Sequence, residues 1–190
     1  MTNQHFDIYM IGVGGQGIGL LSETLIRAAE RAGHQVRGVD THGLAQRGGT
    51  VTSCLRLGEG AHSPMIREGA ADLVLALERH EALRGAATFL RRAGTLLYFD
   101  ALWQPLNVRL GAQPQTTTAE VEAVCGQLGA RHLRIFDPNL PDPRMQNVSL
   151  LRTLLQESLV PGLKLQHLEG ALGELLTGKV LEANLALLNA

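Results

Sequence analysis

The stretch Ile8-Tyr9-Met10-Ile11-Gly12-Val13-Gly14-Gly15-Gln16-Gly17-Ile18-Gly19 decides the fold. An apolar run of strand length meets a glycine cluster, and the cluster opens a long amphipathic segment from Ile18 to Ala32. Strand, glycine turn and helix form the first half of a βαβ unit. Gly12, Gly14 and Gly17 stand at G-x-G-x-x-G spacing. In that spacing the first glycine allows a tight turn off the strand. The second lets a ligand or another backbone come close, and the third lets helix and strand pack closely. Free N–H groups at the helix start can then hold an anion. The same turn also has a purely architectural reading, as the way a parallel sheet starts, and the motif leaves both open.

Helix one carries Ile18, Leu21, Leu25, Ala28, Ala29 and Ala32 on one face, close to a 3.6-residue period. Gly33 stops it. Gln35 to Asp40 returns as a short strand, expected to lie parallel to the first through a right-handed connection. Asp40 falls near the place where a dinucleotide fold puts its ribose carboxylate. An aspartate at a strand end is equally an ordinary turn residue.

Thr41 to Gly49 is the second unusual stretch, with three glycines, His42, Gln46 and Arg47 together after a strand's carboxyl end. In an open α/β sheet that edge is where ligands bind. Arg47 offers a planar cation for phosphate or carboxylate, and His42 can change charge near neutral pH. A solvated glycine-rich loop is the plainer alternative.

Farther on, Thr50 to Leu57 is β-rich, and Gly58-Glu59-Gly60 carries a turn signal where a hairpin fits. Ser63-Pro64-Met65-Ile66 reads as extended. Ala71 to Leu77 looks like a buried central strand. Glu78 at its end reads as a helix start, with a ligand contact as the alternative. Glu81 to Leu90 is a short helix and Gly94 to Phe99 a strand. Ala101 to Thr118 is irregular, with room for a short strand at Asn107 to Leu110. Thr117 and Glu120 have capping-box spacing ahead of a helix through Leu128. Arg131 to Phe136 alternates as a strand, and the proline-rich Asp137 to Pro143 breaks the chain. The last third is helical, its leucine stripes fit for core or for another subunit.

Bulk composition narrows the function. The 190 residues are expected to form a single domain, 1–190, with a real core. Aromatics are 4%, so that core rests on Leu, Val, Ile and Ala. A net charge of −1 gives no footprint for nucleic acid. Cys54 and Cys125 belong to no C-x-x-C pair, so no cluster or zinc ligand set can be drawn from them, and buried thiols in a reducing cytoplasm are expected. There is no signal-peptide pattern and no apolar run long enough for a membrane span. G-x-S-x-G, H-E-x-x-H and G-x-x-x-x-G-K-[ST] are all missing from the sequence. Helper features without a catalytic engine suggest a subunit or a cofactor-binding module.

Gly12 to Ile18, His42-Gly43-Leu44-Ala45-Gln46-Arg47-Gly48-Gly49, Ser63-Pro64, Glu68-Gly69 and Ala71-Asp72 together resemble one family. It is the gamma-type subunit or domain of the 2-oxoacid:ferredoxin (acceptor) oxidoreductases, with the indolepyruvate branch nearest and phenylglyoxylate and branched-chain oxoacid enzymes related. Leu44 and Ala45 depart from the family loop, and Trp103 to Gln115 matches it poorly.

The resemblance implies an α/β fold, a Rossmann-like three-layer sandwich with a mostly parallel sheet and a helical C-terminal third. It implies a complex that oxidatively decarboxylates a 2-oxoacid to an acyl-CoA, using thiamine diphosphate, iron–sulfur clusters and CoA. The partners it implies are thiamine-binding and iron–sulfur subunits, with ferredoxin or another acceptor, in the cytoplasm. This chain alone is expected to be inactive, to bind none of those cofactors by itself, and to supply neither a catalytic residue nor a metal ligand. The residues expected to face the CoA side are Gly12, Gly14, Gly15, Gln16 and Gly17, with His42, Gln46, Arg47, Gly48 and Gly49. The competing expectation is a free-standing dinucleotide-binding protein using Gly12 to Gly17 and Asp40.

Overall fold

The computed structural model describes residues 5–41, 49–103, 108, 110–112, 114–140 and 142–190. Its centre is the opening apolar run, which forms β1 (Phe6–Val13) and is buried from Asp7 onward. A strand with apolar residues on both faces needs cover on both. It receives that cover in a six-stranded sheet made with β2 (Val36–Thr41), β3 (Thr50–Leu57), β4 (Ala71–Ala76), β5 (Leu90–Phe99) and β6 (Arg131–Ile135). Their order is β2-β3-β1-β4-β5-β6. β4, β5 and β6 run parallel to β1, with Ile8 opposite Leu73 and Phe99 opposite Ile135.

The expected side-by-side pairing of the first two strands is corrected here. β3 lies between them, antiparallel to both, with Val13 opposite Thr50 and Thr41 opposite Thr52. The reason lies in the side chains. β3 sends Val51, Leu55 and Leu57 into one core and Cys54 into the other, so it can be an interior strand. β2 carries exposed Arg37 and Asp40, which suits an edge. No hairpin forms at Gly58-Glu59-Gly60, because β3 finds both of its partners earlier in the chain. The short strand expected at Asn107 to Leu110 lies largely outside the described residues, and Val108, which is described, is helical.

Helices cover the two faces separately. α1 (Ile18–Arg31), α4 (Gln146–Gln156), α5 (Leu165–Leu175) and α6 (Gly178–Leu188) enclose a core that includes Met10, Leu21, Leu25, Leu151 and Leu172. α2 (Arg79–Phe89) and α3 (Thr118–Leu128) close the other, around Tyr9, Ile11, Val74, Ala86 and Val121. α2 sits close to the sheet because its inner face is small. A Cβ at Gly85 would stand 3.0 Å from both Ile11 and Val74. The architecture is therefore an α/β sandwich with a mostly parallel sheet and a helical last third.

The capping box forms as the spacing predicts. The Thr117 hydroxyl accepts the Glu120 N–H, and the Glu120 carboxylate accepts the Thr117 N–H at 2.7 Å. Losing an N-cap hydroxyl costs about 1 kcal/mol. Thr117→Ala is therefore expected to lower the urea midpoint with the m-value unchanged, as chemical unfolding will check.

The sheet's N-terminal rim is held by charge. The Asp7 N–H donates to Asp72, Arg91 pairs with Asp72, and Arg56 pairs with Asp7 and donates to the Ser63 carbonyl. Ser63 and Asp72 thus serve structure at the rim away from the glycine turn.

Candidate functional site

β1 and β4 are adjacent and parallel, and the helices that follow them leave to opposite faces, α1 to one core and α2 to the other. Between their carboxyl ends the sheet has its topological switch point, where open α/β sheets bind ligands. The glycine turn lies on the β1 side of that point and Glu78 on the β4 side.

Each glycine of the turn has its own reason. A Cβ at Gly12 would stand 3.0 Å from the Ile18 side chain, so Gly12 is where strand and helix pack closely. Gly17 instead takes the left-handed conformation, φ 85°, that lets the chain enter α1. The roles expected for the first and last glycines are thus exchanged. Gly14 meets another backbone, as its place in the motif predicts: its N–H donates to the Gly49 carbonyl at 2.8 Å. Gly15 is exposed, and the Trp103 ring lies 3.8 Å from where its Cβ would be.

Gln16 is buried and its amide is committed within the fold. Oε1 accepts the Val13 N–H at 2.7 Å and Nε2 donates to the Leu77 carbonyl at 2.8 Å. It ties the ends of β1 and β4 together across the switch point, so whatever Gln16 contributes to a site comes through the turn it holds. Asn147, from α4, closes the turn from behind by donating to the Gly17 carbonyl at 3.0 Å.

The two helix starts differ. α2 is capped by Glu78, whose carboxylate accepts the backbone N–H of Glu81 at 2.9 Å. Burial pushes the Glu78 carboxyl up to about 7, the Glu81 carboxylate beside it adds to the rise, and the backbone N–H groups around it hold it back. Among the described residues α1 has no side-chain cap, and it has no acid in its first turn. Its opening N–H groups lack intrahelical partners and carry the positive end of the helix dipole. A helix start that no carboxylate caps among the described residues favours an anion over the one that Glu78 caps.

Gly49 is held at this rim by its bond to Gly14 and by Thr50, whose hydroxyl donates to Glu81 at 3.1 Å. Burial raises the Glu81 carboxyl, while Arg84 and Thr50 lower it. The second glycine stretch therefore begins after Thr41 and ends at Gly49 on the rim that carries the first. His42, Gln46, Arg47 and Gly48 lie outside the described residues.

Asp40 does not reach the turn. With β3 in between, it caps the edge strand, and its carboxylate accepts from Ser22, which meets Ser53 at 2.8 Å. A ribose carboxylate must stand on the strand next to the glycine turn, so the dinucleotide geometry is not built. Cys54 and Cys125 are both buried, with the Cys125 thiol pushed up to about 11 by burial. Two cysteines cannot supply the four thiolates of an iron–sulfur cluster. Among the described residues no three His, Cys, Asp or Glu side chains gather as a metal site, and no helix is long and apolar enough to cross a membrane.

Glu78 reads in the sequence as a helix start with a ligand contact as the alternative, and the structure makes it the cap of α2. Trp103, the sole tryptophan, stands just past a strand's carboxyl end and is not marked as a site residue by spacing.

This fold, with two glycine stretches meeting at its switch point, has counterparts. Residues 7–190 match the pyruvate ferredoxin/flavodoxin oxidoreductase family, and the chain belongs to it. Among named relatives it is similar to the indolepyruvate oxidoreductase subunit IorB of Archaeoglobus fulgidus, 34% identical over 193 residues that cover 94% of this chain and 90% of that one. Pyruvate oxidoreductase subunit PORC from Thermotoga maritima shares the fold at 19% identity and a TM-score of 0.63, covering 98% of this chain and 94% of that one. So does 2-oxoglutarate:ferredoxin oxidoreductase from Magnetococcus marinus, solved with 2-oxoglutarate, coenzyme A and succinyl-CoA bound. There the identity is 17% and the TM-score 0.66, and the match covers 98% of this chain but 30% of that one.

Proposed function

We infer that this chain works within a cytoplasmic complex that oxidatively decarboxylates a 2-oxoacid, aryl or branched, to an acyl-CoA. Its part is to form the CoA- and thiamine-facing side of the site with the glycine turn and the 42–49 stretch. The observation that carries this reading is the 2.8 Å bond from Gly14 to Gly49, which joins the ends of both stretches at the switch point. Thiamine diphosphate, held by a partner subunit, supplies the electron sink for decarboxylation. Electrons leave through iron–sulfur subunits to ferredoxin or another acceptor. This chain's share is binding and orientation. The bare start of α1 and Arg47 suit the phosphates of CoA, and Gln16 and Asn147 keep the turn in shape for them.

Co-expression with the thiamine-binding and iron–sulfur subunits tests this. Oxoacid-dependent acceptor reduction is expected from the complex and none from the chain alone. Arg47→Ala should raise the KM for CoA about tenfold, the loss of one charge-assisted contact, with thiamine content unchanged. NAD(H) should show no saturable binding to the pure chain. Turnover by the chain alone would overturn the subunit reading, and an unchanged KM for CoA would overturn the CoA-facing assignment.

A further inference from the structure

We propose that the cavity between α1, α6 and the 3-10 turn Pro143–Met145 binds a small apolar monocarboxylate, of medium chain length or with a single ring. The cavity measures about 420 Å³, toward the lower end of the range in which small ligands are held. Leu20, Met145, Leu176, Val180 and Ala183 make most of its wall apolar. Asn184 also lines it, but that side chain is buried and its Nδ2 donates to the Val180 carbonyl at 2.7 Å. An apolar body can therefore lie against this wall without stranding the amide donor.

Charge selects the head group. Arg144 and Lys179 stand at the cavity with one acid, Asp142. Arg144 donates to Asp142 from Nε at 3.0 Å and from Nη2 at 2.6 Å, which holds that carboxyl down at about 2. That pair is closed on itself. Among the described residues no carboxylate pairs with Lys179, so the lining keeps one positive charge to spare. Lys179 also lies in the first turn of α6, whose start has no side-chain cap among the described residues and no acid in that turn. A helix start favours an anion, so ammonium and helix start favour the same occupant group, a carboxylate. A neutral apolar occupant would cover the ammonium without matching it, and a cation would be repelled.

The cavity lies beside the glycine turn. Leu20 belongs to the first turn of α1, and Met145 stands just ahead of Asn147, whose amide donates to the Gly17 carbonyl. An occupant that touches both braces the two segments which this bond joins. Part of the wall is set in advance. Met145 and Asn184 are buried, and the Met145 N–H donates to the Asp142 carbonyl at 2.9 Å. A wall ordered beforehand loses little entropy when a ligand arrives.

The test titrates octanoate into the full chain and follows the backbone amides by heteronuclear NMR. The amides of Leu20, Lys179, Val180 and Ala183 should shift together and saturate, with octanol binding about tenfold more weakly. Lys179→Gln should weaken octanoate about tenfold and leave octanol unchanged. Ala183→Trp, at an exposed position of the wall, should fill the cavity and abolish binding of both. Melting temperatures check that the variants fold, and if one does not, the other decides. Shifts that fail to saturate, or that spread over the whole chain, would overturn the site as an adventitious contact with an amphiphile. Equal affinity for octanoate and octanol would overturn the carboxylate assignment. If octanoate leaves these amides unmoved and Ala183→Trp dissociates a self-assembled chain in sedimentation, the cavity is a contact between copies and the proposal falls. Each of these outcomes leaves the subunit reading standing, since the titration involves no partner subunit.

Discussion

Gly17→Ala should cost about 2–5 kcal/mol and give the most damaged fold of any single methyl added at the switch point. Two effects add. Gly17 sits at φ 85°, where an L side chain costs about 1–2 kcal/mol. Its Cβ would also stand 2.6 Å from Nδ2 of Asn147, the group that donates to the Gly17 carbonyl. Asn147 is buried and cannot swing aside without losing that bond, a further cost of about 1–3 kcal/mol. Gly33 separates the two effects. It has φ 87° with nothing within 4 Å of a Cβ, so Gly33→Ala should carry the backbone cost alone. Urea unfolding of both variants gives the clash by difference. Combining Gly17→Ala with Asn147→Ala should be less than additive, because the clash disappears with the amide. Equal costs at Gly17 and Gly33 would mean that Asn147 is not packed on the turn.

Glu78→Gln should change how stability depends on pH. The wild-type carboxyl titrates at about 7 in the fold, against an ordinary 4.5. Between those values the folded chain holds a proton that the unfolded chain has released. Stability from this group is therefore full below about pH 4.5, falls as pH rises, and is level again above about pH 7. At 1.4 kcal/mol per unit the whole loss is about 3 kcal/mol. Glutamine mimics the protonated acid and still accepts an N–H. The variant should match wild type near pH 4.5 and exceed it by up to about 3 kcal/mol at about pH 8. His80, lowered chiefly by burial, works in the opposite direction over its own window. It is common to both proteins, so the difference between their stability–pH curves isolates Glu78. Parallel curves would show that Glu78 is solvated.

Much of this was legible in the residues. The apolar runs of β1 and β4, the period of α1, the Thr117 box and the leucine stripes of the last third each record a local constraint, and local constraints survive in sequence. β3 between β1 and β2 did not show, because strand order is set by which strand best tolerates burial on both faces. That is a comparison among distant segments, not a property of any one. The site divides the same way. The glycines announced the turn, and the rim it occupies followed from strand direction. Gln16 reads in the sequence as a ligand contact, and in the fold its buried amide also braces the turn, a role the letter alone does not show. Trp103 and Asn147 reach the turn from far along the chain, at distances no spacing rule covers.

The clasp between Asn147 and Gly17 has a bearing on synthesis. The turn at the front of the chain must wait for the ribosome to add some 130 more residues before its carbonyl meets that amide. A nascent chain halted before α4 would carry the glycine bend with its latch still missing, and the most sensitive part of the molecule would be among the last to set.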